Sequence, residues 1–112
     1  MFSIGIDIQY LSEFPKLNNK NDEQFFKDNF TLDELEYAKS MKNTRLTLMG
    51  IFSVKESIIK CENSVKKPFN KIQINHDKKG KPFYHDFQIS ISHSIDICVT
   101  VALKNNIQGV NH

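Results

Sequence analysis

No stretch of about 18 consecutive apolar residues occurs in this chain, so a membrane-spanning helix is not expected. The opening residues, Met1-Phe2-Ser3-Ile4-Gly5, have no basic region leading into an apolar run. A secretory signal is therefore not expected, and the cytoplasm is the expected compartment. Cysteine is scarce: Cys61 and Cys98 are the two present, and they lack the spacing of a metal-ligand set. Two reduced thiols suit a cytosolic chain, although the sequence alone leaves a disulfide open. His76, His85 and His112 show no metal spacing either and read as surface residues. The chain also lacks a nucleophile-elbow pattern, and Ser and His side by side in sequence are not a triad, so a serine hydrolase is a poor fit. It has no internal repeat, low-complexity tract or long linker.

The 112 residues suit one domain, 1–112, with the polar stretch 105–112 read as a flexible tail. A chain of this size buries roughly two-thirds of the surface its unfolded form exposes. That supports a core but not a large enclosed pocket, a limit that a site built at a subunit boundary would ease. Net charge is only +2, yet it is unevenly placed. Residues 1–37 hold 3 basic against 8 acidic side chains, residues 38–81 hold 11 against 3, and residues 82–112 hold 1 against 2. The basic middle suits an anionic partner such as a polyphosphate, an acidic protein or nucleic acid, or else forms a solvated lysine-rich face. The aromatics near it, Phe52, Phe69, Phe83 and Tyr84, fit core positions, so nucleic acid is not the expected partner.

Ile4, Ile6 and Ile8 alternate with Gly5, Asp7 and Gln9, a strand pattern with Asp7 on the face opposite the isoleucines. Residues 22–29 suit a short helix, and Thr31-Leu32-Asp33-Glu34 is a capping box opening a helix over about 32–42. Apolar residues spread around much of 44–62, which predicts a central buried helix. Ile72 and Ile74 mark a strand, Asp77-Lys78-Lys79-Gly80 marks a turn, and 83–84, 87–92 and 97–103 read as further strands. The order predicts an α+β fold, an antiparallel sheet packed against a central buried helix.

Three constellations could carry chemistry. Asp7 on a strand and Glu56 on a buried helix can converge, and a magnesium ion, which takes one or two carboxylates with water and phosphate, would compensate them. Alternatively, Glu56 simply pairs with Lys60 or Lys55 on its own helix. Lys55 and Lys60 beside that carboxylate suit a diphosphate, or else snorkel at the surface. Ser90-Ile91-Ser92-His93-Ser94 places hydroxyls and an imidazole at a strand end, where they suit a phosphate or nucleotide, or form a hydrogen-bonded turn.

Four motifs taken in order give a sharper reading. Gly5-Ile6-Asp7-Ile8, Phe52-Ser53-Val54-Lys55-Glu56-Ser57-Ile58-Ile59-Lys60, Asp77-Lys78-Lys79-Gly80-Lys81-Pro82 and Ser90-Ile91-Ser92-His93-Ser94 together resemble the 4′-phosphopantetheinyl transferase superfamily. Length and layout are similar to its small holo-acyl-carrier-protein synthase type. The resemblance runs from residue 5 to about 103. It implies transfer of 4′-phosphopantetheine from coenzyme A to a serine of an apo acyl carrier protein, with release of adenosine 3′,5′-bisphosphate. It implies Asp7 and Glu56 as magnesium ligands, with Glu56, Lys60 and Asp7 as the catalytic set. Lys55, Lys60, Gly80, Lys81, Pro82, Ser92 and His93 are the implied coenzyme A contacts. It also implies a homotrimer with sites between subunits.

The chain departs from the family pattern in three places, one of them Ile51, which follows Gly50 where relatives often carry arginine. No glycine stands in 61–67, where relatives are glycine-rich, so Lys66 and Lys67 are the candidates to supply charge there. Glu13, Asp22, Glu23 and Asp28 occupy the region where relatives use arginines to dock carriers, which leaves Lys39, Lys42 and Arg45 as basic candidates. A non-catalytic module that binds coenzyme A or a carrier is the alternative reading.

Overall fold

The computed structural model describes residues 1–106. Strand β1 (Phe2–Tyr10) leads through two short 3-10 turns into helix α1 (Glu23–Asn29), α2 (Leu32–Lys39) and the long α3 (Thr44–Cys61). A further 3-10 turn precedes β2 (Asn75–His76), β3 (Pro82–Phe83), β4 (Gln88–His93) and β5 (Ile97–Asn105). Strands β1, β5 and β4 form one antiparallel sheet in that order, and β2 and β3 form a small hairpin. The α+β architecture of sheet against buried helix is the one expected.

Local signals explain the helices. Thr31 and Glu34 form the capping box, with Thr31 Oγ1 accepting from Glu34 N at 3.1 Å and Glu34 Oε1 accepting from Thr31 N at 2.9 Å. Helix α2 stops three residues short of the expected 42, where Ser40 Oγ donates to the Tyr37 carbonyl. Asn43 caps α3 by accepting from Leu46 N. Leu48, Met49, Ile51, Val54 and Ile58 of α3 are almost fully buried, and with Ile89, Cys98 and Ala102 they fill the space between helix and sheet. Phe14, Phe25, Phe26, Phe30, Phe52 and Phe69 form a chain of edge-to-face, stacked and tilted rings. No helix of the described residues is long and apolar enough to cross a membrane.

The alternation read in β1 holds, with Asp7 on the face opposite the isoleucines. Ile4, Ile6 and Ile8 do share one face of β1, but that face is open, with exposures of 66%, 59% and 48%. The face that packs on α3 carries Gly5 and Asp7 instead. The reason is steric. A Cβ at position 5 would lie 2.0 Å from the Ser57 carbonyl oxygen and 2.5 Å from Cys61 N, so only glycine lets the strand lie against the helix backbone. Ile72 and Ile74, expected to mark a strand, are instead buried core residues that follow the 3-10 turn, and the strand itself is confined to Asn75–His76. Asn105 is no part of a flexible tail: it closes β5 opposite Phe2, and Asn106 N donates to Met1 O. The remainder of that stretch, including His112, lies outside the described residues.

Candidate phosphoryl-transfer site

Helix α3 carries Ser53, Glu56, Ser57 and Lys60 on the side facing β1, because positions three and four apart fall on one face. Strand β1 brings Asp7 to the same place. Asp7 is 7% exposed, and its carboxylate takes hydrogen bonds from Ser53 Oγ (2.8 Å), Gln9 Nε2 (2.9 Å) and Lys60 Nζ (3.2 Å). The Lys60 ammonium also donates to the Ile6 carbonyl. Glu56 lies close enough to feel the Asp7 charge. Partial burial, foremost, and the like charge of Asp7 hold its carboxyl above the usual carboxylate range, against the opposing pull of Lys60. Asp7 and Lys60 are thus in contact, and Glu56 stands on the same side of α3 within reach of both charges.

Two carboxylates under mutual repulsion, one already anchored by the protein and one partly exposed, form a donor set that a small oxygen-seeking dication would fit. No group of three or more His, Cys, Asp or Glu is found among the described residues. A magnesium ion usually takes one or two carboxylates and completes its octahedron with water and phosphate.

A second cluster forms nearer the start of α3. A cavity of about 180 Å³ is lined by Thr47 and Gly50 of the helix, His76 and Pro82 of the hairpin, Gly80 of its turn, and His93 at the end of β4. The turn is built by Asp77, whose Oδ1 accepts from Lys79 N and Lys81 N, and by Gly80 at φ +84°, a left-handed conformation that favours glycine. Gly50 lets β4 come close, since a Cβ there would sit 3.0 Å from Ile91 Cδ1. Lys81 faces a neighbouring groove of about 500 Å³ shared with Ser90, Val101 and Leu103.

Several expected site residues are placed differently. Lys55 cannot be a coenzyme A contact: its ammonium is fully buried and is held by Glu34 Oε1 (2.6 Å), the Asn29 carbonyl (2.8 Å) and the Phe69 carbonyl (2.7 Å). Burial pushes its pKa down, against the pull of Glu34. Ser92 lies opposite Val99 on the open face of the sheet, while its neighbour His93 points to the helix side, as adjacent strand residues must. The two do not share a cleft in one chain. Arg45 is spent on the carbonyls of Leu11, Phe14 and Pro15 and is not free for carrier docking.

Some residues around the site were not anticipated. His76 is no simple surface residue, for it stacks on Tyr37 at 4.1 Å between ring centres, and burial lowers its pKa. Gln9 and Ser53 donate to Asp7, and Thr100 and Ser57 stand behind Ser53. Ser53 and Ser57, four apart inside an apolar helix, were the available hint.

Fold and site together define an α+β protein with a two-carboxylate, one-lysine centre suited to phosphoryl transfer. The family model for the 4′-phosphopantetheinyl transferase superfamily matches residues 3–107. Over 113 residues the chain is 31% identical to the holo-[acyl-carrier-protein] synthase of Caldicellulosiruptor saccharolyticus, covering 100% of this chain and 87% of that protein. The structure of a Bacillus anthracis holo-(acyl-carrier-protein) synthase in complex with CoA (3′,5′-ADP) is similar at a TM-score of 0.70 and 30% identity, covering 90% of this chain and 93% of that one. The fold also matches the Neisseria meningitidis holo-[acyl-carrier-protein] synthase at a TM-score of 0.78 and 24% identity, covering 93% and 98%. The chain belongs to the 4′-phosphopantetheinyl transferase superfamily, and within it to the holo-[acyl-carrier-protein] synthase type.

Proposed function

We propose that this chain transfers 4′-phosphopantetheine from coenzyme A to a serine hydroxyl of an apo carrier protein. Magnesium would be held by Asp7 and Glu56, and adenosine 3′,5′-bisphosphate would leave. The observation that carries the reading is the meeting of Asp7, Glu56 and Lys60 on one side of α3. In the proposed reaction the serine oxygen forms a bond to the β-phosphorus, and the bond from that phosphorus to the bridging oxygen breaks, leaving the bisphosphate nucleotide. The bound ion would supply charge neutralisation to the diphosphate oxygens.

This chain's residues do the rest. Lys60, with 53% of its side chain exposed, can turn from Asp7 to a phosphate and offset charge on the leaving nucleotide. Glu56, at the edge of the same centre, is placed to accept the serine proton, directly or through water. Gly80, Lys81, Pro82 and His93 are proposed for the nucleotide end, and the cavity they border supports that assignment.

Two features support a trimer with composite sites. The open sheet face presents Ile4, Ile6 and Ile8 of β1 beside Leu103, Val101 and Val99 of β5, an apolar row that further copies of the chain would cover. The His93 cavity and the Glu56 centre lie at different levels of α3, since Gly50 and Glu56 are about 9 Å apart along the axis at the usual rise per residue. One copy's cavity would then serve its neighbour's carboxylates.

The test is mass spectrometry of a panel of apo carriers incubated with the chain, coenzyme A and magnesium, where a gain of about 340 Da marks transfer. Glu56→Ala should remain folded and give no gain, and full activity in that variant would refute the role assigned to Glu56. The acidic surface of Glu13, Glu23 and Asp28 favours a second reading, a module that binds without transfer. Calorimetric coenzyme A binding with no mass gain on any carrier would establish it.

A further inference from the structure

A file of buried hydroxyls ends on Asp7, and the proposed reaction leaves it unused. Ser57 Oγ lies 2.5 Å from Thr100 Oγ1, Thr100 Oγ1 lies 2.8 Å from Ser53 Oγ, and Ser53 Oγ donates to Asp7 Oδ2 at 2.8 Å. All three hydroxyl residues are fully buried. Each hydroxyl owns one proton. Ser53 gives its proton to the carboxylate, so any proton between Ser53 and Thr100 comes from Thr100, and any between Thr100 and Ser57 then comes from Ser57. The Ser53 and Thr100 carbonyls, at 2.9 and 3.1 Å, accept from the same two donors. Thr100 and Ser57 thus each share one proton between a carbonyl and the next hydroxyl, and within the file those protons point one way, toward Asp7. Gln9 Nε2 donates to the same oxygen, Oδ2. The other oxygen, Oδ1, meets the half-exposed ammonium of Lys60.

We infer that Ser53, Thr100, Ser57 and Gln9 are positioning residues that commit Oδ2 of Asp7 to the protein and leave Oδ1 as its one oxygen for a divalent cation. A carboxylate pinned along one edge cannot turn to offer both oxygens. Single-oxygen ligation suits a small ion that demands octahedral geometry, whereas calcium readily takes carboxylates through two oxygens and in higher coordination. The hydroxyl file therefore sets ion choice: magnesium or manganese over calcium. This inference rests on the metal reading of Asp7 and Glu56.

The test measures ion binding to the folded protein without coenzyme A, by electron paramagnetic resonance of free and bound manganese, with magnesium and calcium as competitors. Ser53→Ala should weaken manganese about tenfold, the usual size of effect for a partner of a metal ligand, and should weaken calcium less, so that the manganese-to-calcium ratio narrows. Thr100→Val, which keeps shape and removes the hydroxyl, should shift the ratio the same way, and Thr100→Ser should restore it. Where a buried variant fails to fold, Gln9→Met at the half-buried strand position gives the same comparison. Folded variants with the wild-type ratio would overturn the inference. So would an equal loss for both ions, since that is what a merely structural role produces. A wild-type chain that binds no manganese either alone or with coenzyme A, whose phosphates would share the ion, would overturn the metal reading itself.

Discussion

Lys55 and Glu56 are neighbours in α3 with opposite environments, because consecutive helical residues point about 100° apart. Lys55 enters the core and ties α3 to Glu34 of α2, the Asn29 carbonyl and the Phe69 carbonyl, while the second oxygen of Glu34 accepts from Ile74 N at 2.7 Å. Removing one member strands a buried charge, so Glu34→Ala or Lys55→Ala should cost about 3–5 kcal/mol in urea unfolding. The double variant Glu34→Leu/Lys55→Met should lose far less than the sum of the single losses, since an apolar pair of similar size needs no compensation. Glu56 shows the reverse economy. Its pKa is raised in the folded chain, so the folded state holds that proton more tightly than the unfolded one. Stability is therefore lost as pH rises through the window above the ordinary carboxylate value, and the cost is complete above the raised pKa. Glu56→Gln should raise the melting temperature at neutral pH, and the gain should vanish in acid below the ordinary carboxylate range, as read by thermal unfolding at both pH values. The sequence made the Asp7–Glu56–Lys60 meeting legible because motif order and helical spacing carry it. It did not reveal the fate of Lys55, because adjacency in sequence says nothing about which side of a helix the core occupies.

At the scale of elements, the contact of β1 with α3 controls the site. Backbone meets backbone at Gly5, and this sets how far Asp7 reaches toward Ser53. Gly5→Ala would drive a methyl group into the Ser57 carbonyl. It should destabilise the fold by about 3 kcal/mol, at the upper end for overpacking, since neither backbone can yield without moving an element. Chemical denaturation measures the loss, and activity should fall more than the folded fraction does because Asp7 moves with the strand. The helices and their caps were readable in sequence since their determinants lie within four residues of each other, as Thr31 and Glu34 do. The hairpin turn was readable for the same reason, from Asp77 to Gly80. The inward face of β1 was not. An isoleucine row normally marks the core side, and here that row faces outward while a glycine and an acid face the helix. The hydroxyl file was hidden too, since Ser53 and Thr100 are 47 positions apart.

At the scale of the whole molecule, the open sheet face is the feature that a lone chain in water would leave uncovered. Burial of apolar surface stabilises by about 25 cal/mol per Å², so three or more large side chains per copy supply a substantial drive to associate. Ile6→Lys, at the middle of the row beside Val101, should convert the proposed trimer to monomers in light scattering while circular dichroism stays that of the folded chain. If sites are composite, transfer activity should fall with the trimer and rise with protein concentration. The same sheet has a further consequence for how the chain is made. Its middle strand, β5, leaves the ribosome after β1 and β4, and neither of those has a partner in the sheet before it arrives. Phe2 must wait for Asn105, and Asp7 for Thr100. Pairings this distant in sequence slow folding and lengthen the time that unpaired edges stand open to aggregation. During synthesis, then, the carboxylates exist well before the centre they belong to, and a chain halted ahead of Ile97 would carry Asp7, Glu56 and Lys60 without a sheet to hold them together.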